Sequence, residues 1–236
     1  MSKPPLQRTV VPGSAKIGAE LAVLSVLAHR ELAVAKAALA GLTYRAANDM
    51  IYATTDNSQI FAVTPTGTVT LLTAVPGFLH AIAIAPPSFG GFGGFIIGVT
   101  NSGSVVAVNP TNGAITTITA TAGAASDLAF APDGTLYISG GATVRAVTAA
   151  GVVTPFASGF SSADGITITP DGARMFIADS GTDTVRQVTI PGAVVTTFGS
   201  ADIDDGSGVA GILAAPGNTL IVMTGEGSLT LIAFTY

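Results

Sequence analysis

Cysteine is absent from this chain of 236 residues, which excludes disulfides and thiolate metal sites. Tryptophan is absent too, and the only histidines are His29 and His80. With so few imidazoles and no G-x-S-x-G elbow, nucleophilic catalysis has little footing. Charge is scarce: 10% of residues are charged, where about 25% is usual. The nine basic and fourteen acidic side chains leave a net charge of -5 and form no basic stripe, so a nucleic-acid partner is not expected. No uninterrupted apolar run reaches the roughly 18 residues of a membrane-spanning helix. The segment IGAELAVLSVLAH at 17–29 begins late for a signal peptide and is broken by Glu20, so a cytoplasmic origin is expected and the final compartment is not fixed.

What the chain has in abundance is apolar character, with 48% hydrophobic residues and a mean hydropathy of +0.62. It also has a repeat. A five-residue phrase recurs as QIFAV at 59–63, SVVAV at 104–108, TVRAV at 143–147, TVRQV at 184–188 and SLTLI at 228–232. The last residues of these phrases, Val63, Val108, Val147, Val188 and Ile232, lie 45, 39, 41 and 44 positions apart. That period belongs to arrays of small sheet units, most often propeller blades. The clearest unit alternates short apolar strands with turn chemistry: ADGITI, Pro170-Asp171-Gly172, RMFIADS, Gly181-Thr182-Asp183, TVRQVTI, Pro191-Gly192, then AVVTTFG. It reads as a four-stranded antiparallel meander. The fold class expected is therefore all-β, a β-propeller of five four-stranded blades, with six as the alternative.

The last repeat stops one strand short. Residues 31–39, ELAVAKAAL, stand where an N-terminal strand would complete it and close the ring, although the Ala-, Leu-, Glu- and Lys-rich stretch 14–40 prefers helix on intrinsic propensity. The domain reading is an N-terminal arm over 1–30, devoted to assembly or partner contact, and a propeller over 31–236.

PDGARMFIADSGTDTVRQV (170–188) resembles the NHL repeat, and PDGTLYISGGATVRAV (132–147) matches it less fully because Gly140-Gly141 replace the acidic hairpin. The resemblance extends to gluconolactonase-like and other six-bladed propellers. It implies the blade and not an activity, since propellers host enzymes and binding proteins alike.

Inner strands line a propeller's channel, and their first residues face its mouth. Counting back from the Pro that ends each strand places His80, Ser126 and Asp164 there, with Asp127 one position on. His80, Asp127 and Asp164 could together ligate a divalent cation. The resemblance to gluconolactonases implies a metal held by Glu, Asn and Asp, but no Glu occurs between Glu31 and Glu226, so that set is not reproduced. Asp202, Asp204 and Asp205 cluster beside Gly206 and Gly208 as a second candidate calcium loop, without the bidentate Glu of an EF-hand. The insertion PPSFGGFGGF at 86–95 offers Phe89, Phe92 and Phe95 as anchors for a partner, or as cover for the blade itself.

Low charge and high apolar content favour burial in an assembly. The primary expectation is a non-enzymatic structural or interaction subunit without a cofactor. It would meet protein partners or itself through the arm and the 86–95 loop, in a setting such as a virion or surface array. The alternative is a metal-dependent, lactonase-like hydrolase with its site at the channel mouth, using calcium or another divalent cation.

Overall fold

The computed structural model describes residues 39–120, 122–200, 209–215, 219–224 and 232–235, all within the unit Ala37–Tyr236. Apart from one turn of 3-10 helix at Gly90–Phe92, they form strands and tight connections. None of them makes a helix long and apolar enough to cross a membrane.

The strands form five antiparallel sheets in chain order. The first contains β1 (Leu39–Arg45), β2 (Met50–Thr55), β3 (Gln59–Val63) and β4 (Val69–Ala74). The second contains β5 (Leu79–Ile84), β6 (Ile96–Thr100), β7 (Val105–Val108) and β8 (Ile115–Thr119). The third runs through β9 (Asp127–Phe130), β10 (Leu136–Gly140), β11 (Thr143–Val147) and β12 (Val153–Ser158). The fourth runs through β13 (Ala163–Ile168), β14 (Arg174–Asp179), β15 (Thr184–Thr189) and β16 (Val195–Ser200). The last sheet has three strands among the described residues, β17 (Val209–Ala215), β18 (Thr219–Thr224) and β19 (Ile232–Thr235). The repeat period thus translates into five sheets, one per phrase.

The first strand of each sheet packs on the first strand of the next: β1 on β5, β5 on β9, β9 on β13 and β13 on β17. This is the inner row of a propeller. Among the described strands the row stays open, because β17 and β1 do not pack on each other as the other neighbours do. The arm over 1–30 and the proposed closing segment lie outside the described residues, except that Leu39 opens β1 and pairs with Thr55 inside the first blade.

Turn chemistry sets the strand limits. In the third and fourth blades a Pro-Asp-Gly turn joins the first strand to the second. There the Gly134 N–H donates to the Ala131 carbonyl at 2.9 Å, and the Gly172 N–H to the Thr169 carbonyl at 2.8 Å. In the first four blades the second strands are buried on both faces over nearly their whole length, which explains why β6 (IIGVT) does not alternate apolar and polar residues. The core lies in the seams between blades. Tyr52 and Ile60 meet Leu79 and Ile96 across the first seam. Ile97 and Val105 meet Leu128 and Ile138 across the second. Val144 meets Met175 and Ile177 across the third. Phe176 and Val185 meet Leu220 and Val222 across the fourth. Each such side chain contributes about 1.5–3 kcal/mol on burial.

Outer strands join the seams through a repeated irregularity. In β4, β8, β12 and β16 the pairing register slips at one place, leaving Leu72, Ile118, Phe156 and Phe198 as the extra residue. A bulge re-aims a side chain. Here it turns an apolar residue of an otherwise exposed strand onto the seam clusters, with Phe156 edge-on to Tyr137 at 4.7 Å and Phe198 edge-on to Phe176 at 4.9 Å.

The departure of the third blade from the NHL pattern has a steric cause. In the fourth blade Asp179, fully buried, accepts the N–H groups of Ser161 (3.0 Å) and Ser162 (2.7 Å) from the incoming connection, with Arg186 3.6 Å away. At the corresponding Gly140 a Cβ would overlap the carbonyl oxygen of Ala124. The connection occupies the space that a side chain would fill, and Arg145 donates to the Ala124 carbonyl at 2.8 Å instead. Gly140→Ala is therefore expected to cost about 1–3 kcal/mol in chemical denaturation; an unchanged unfolding midpoint would contradict this account of the connection.

Candidate functional site

The inner strands β1, β5 and β13 each carry an irregularity near their start. One residue is left over between paired neighbours in β1 (Ala40) and β5 (His80), and two in β13 (Asp164 and Gly165). Bulges are common beside active sites because they aim a side chain out of the ladder. Here they aim inward. His80 and Asp164, with Ser126 and Asp127 from the start of β9, line one cavity of about 410 Å³ together with Gly41 and Leu42. The four polar residues expected at a common mouth thus meet there. The signal that sequence reasoning lacked was the bulge itself, since a strand pattern of period two does not show which residue is extra.

The electrostatics are set by Asp127. Its carboxyl group is enclosed, and that desolvation pushes it up to about 6. Two backbone donors work the other way, Ile166 N–H to Oδ2 at 3.0 Å and Leu128 N–H to Oδ1 at 2.8 Å. The charge of Asp164 raises it further. The His80 ring stands edge-on to Phe78, with centroids 4.8 Å apart. Among the described residues that line the cavity the charged side chains are Asp127 and Asp164, so the field they set is acidic.

The three residues named as metal ligands share the cavity, but their donors do not converge. Among the described residues no three His, Cys, Asp or Glu side chains come together as a metal-binding group. Asp202, Asp204 and Asp205 lie outside the described residues. The aromatic insertion folds onto the protein. Phe89 is 2% exposed and packs edge-on to Phe130 of the next blade at 4.9 Å, so it is not open to a partner. Phe92 and Phe95 pack partly buried against the same cluster. Arg45 Nε donates to the Gly94 carbonyl at 3.1 Å, and Ser88 lies against Gly134. The insertion therefore ties the first three blades together at the end away from the cavity.

A family model described as a repeat of unknown function, DUF6923, matches residues 31–210. The chain belongs to the DUF6923 family. No curated protein matches it. Solved structures similar to this DUF6923 chain include a gluconolactonase from Xanthomonas campestris, with a TM-score of 0.69, 13% identity, and 84% of this chain and 73% of that one covered. A calcium-binding protein, regucalcin, from Agrobacterium tumefaciens gives 0.68 and 18%, over 84% and 70%. A chain of the nidogen/laminin complex gives 0.67 and 12%, over 79% and 72%. At such identities the likeness establishes the fold alone, and it bears out the resemblance to gluconolactonase-like propellers at that level.

The Asp127 carboxyl implies a pH dependence of stability. Its folded pKa of about 6 lies above the ordinary 3.8, so the native state holds the proton more tightly than the unfolded chain. The stabilising contribution is complete below about pH 4 and is lost as pH rises through about 6, a change of about 3 kcal/mol. Unfolding free energies of wild type and Asp127→Asn are expected to diverge by that amount between pH 4 and 7. Parallel curves would contradict the assignment.

Proposed function

We propose that this protein is a lactonase-like hydrolase that takes a small, neutral, hydroxyl-bearing lactone at the mouth formed by its inner strands. The observation that carries the reading is the pair of bulges that bring His80 and Asp164 into one cavity with Ser126 and Asp127. The fold shared with the gluconolactonase is consistent with it. A cavity whose described lining carries Asp127 and Asp164 suits a neutral substrate rich in hydroxyl donors, and it opposes retention of the carboxylate that ring opening produces.

Regucalcin, which shares the fold, is a calcium-binding protein, and calcium is the cofactor it suggests. The described donors do not fit one. Each Asp127 oxygen accepts a backbone N–H, and among the described residues no three donor side chains converge. Hard divalent cations take six or more oxygen ligands. No step is therefore routed through a metal. Hydrolysis needs a water that adds to the lactone carbonyl while giving a proton to a base; the acyl–oxygen bond then breaks and the ring oxygen takes a proton. The His80 imidazole can accept the first proton and return it to the ring oxygen, while Asp164 accepts hydrogen bonds from substrate hydroxyls.

The assembly role drew on the arm over 1–30, outside the described residues, and on the 86–95 loop, whose first aromatic faces inward. The cavity supports the enzyme reading more directly. Purified protein should hydrolyse glucono-1,5-lactone above the spontaneous rate, measured by acid release at pH 7. His80→Ala and Asp164→Ala should each lower kcat/KM by about 100-fold or more, and a chelator should leave it unchanged. Wild-type activity equal to the spontaneous rate would overturn the reading, and abolition by the chelator would overturn its metal-free form.

A further inference from the structure

The Asp164 bulge is the least supported part of its strand. Ladder pairing runs from Ala163 opposite Asp179 directly to Ile166 opposite Ile177, so Asp164 and Gly165 have no cross-strand partner in their own blade. Two backbone groups there are nevertheless bonded to the neighbouring blade. Ser139 Oγ, fully buried, donates to the Asp164 carbonyl oxygen. Asp127 Oδ2 accepts the Ile166 N–H at 3.0 Å. Asp127 and Ser139 are themselves directly opposite each other in β9 and β10. The other Asp127 oxygen is fixed by the Leu128 N–H of its own strand at 2.8 Å.

We infer that the Asp127–Ser139 pair is a positioning clamp. One cross-strand pair of the third blade grips both sides of a bulge in the fourth and so fixes where the Asp164 carboxylate lies in the cavity. The inference rests on the reading of Asp164 as a substrate-contacting group. It assigns to Asp127, named above as a metal ligand, the role of acting through Asp164. A bulge held this way keeps its carbonyl and N–H paired in a buried place, where an unpaired group is costly. It also makes the aim of Asp164 depend on the packing of two blades rather than on its own strand.

The test compares wild type with Ser139→Ala, which deletes one oxygen, and with Asp127→Ala. If the second does not fold, the first carries the comparison. Two readouts need no activity: hydrogen exchange of the Ile166 amide, and the carbon NMR signal of the Asp164 carboxyl. In folded Ser139→Ala the Ile166 amide should exchange about 10-fold faster, with the amides of β14 and β15 unchanged, and the Asp164 signal should move. On the lactone, kcat should fall about 10-fold with KM changed less than about 2-fold. Unchanged Ile166 exchange and an unmoved Asp164 signal would overturn the clamp, whether or not the lactone is a substrate. Faster exchange with full kcat in an active wild type would overturn its positioning role. An inactive wild type overturns the function proposed above, and the clamp is then decided by the Asp164 signal: moved supports it, unmoved does not.

Discussion

A single four-stranded meander has two faces and no second layer with which to cover them. The packing of the described sheets answers that constraint. The apolar side chains that would open to water in an isolated blade are buried in the seams, where Ile97, Val105, Ile138 and Met175 lose all exposure. The outer strands add to the seams through bulges that turn Leu72, Ile118, Phe156 and Phe198 inward, and the 86–95 insertion staples neighbouring blades at the end away from the cavity. With so few charges to pair, the described blades are held to one another mainly by these apolar seams.

The same constraint makes the mouth. Inner strands must approach one another closely, and side chains at their first residues have nowhere to go except toward the common axis. Where the strand bulges, as at His80 and Asp164, a polar residue is turned toward that axis. Asp127 then sits between two blades with its carboxyl enclosed, so one group takes part in both the seam and the cavity. Binding and blade packing are coupled at that point, and the proposed chemistry depends on the seam being intact.

The architecture was legible in the sequence because it is periodic. Pro170-Asp171-Gly172 and the recurring phrase gave strand limits close to those observed, and the count back from Pro brought His80, Ser126, Asp127 and Asp164 to one mouth. What was not legible depended on contacts between repeats. Whether an aromatic at 89 faces solvent or Phe130 is decided by the next blade. The reason for Gly140 is the carbonyl of Ala124, which no local pattern reveals. Three potential ligands at one mouth suggested an ion, whereas among the described residues their side chains do not converge as a metal-binding group.

The most direct test of the account is titration of the Asp127 carboxyl by carbon NMR, with the Ile166 amide followed in the same samples. A midpoint near 6 for the carboxyl, tracked by the Ile166 amide, is the result expected of an enclosed group bonded across the seam. A carboxyl midpoint in the ordinary range near 4, with an Ile166 amide indifferent to it, would contradict the account.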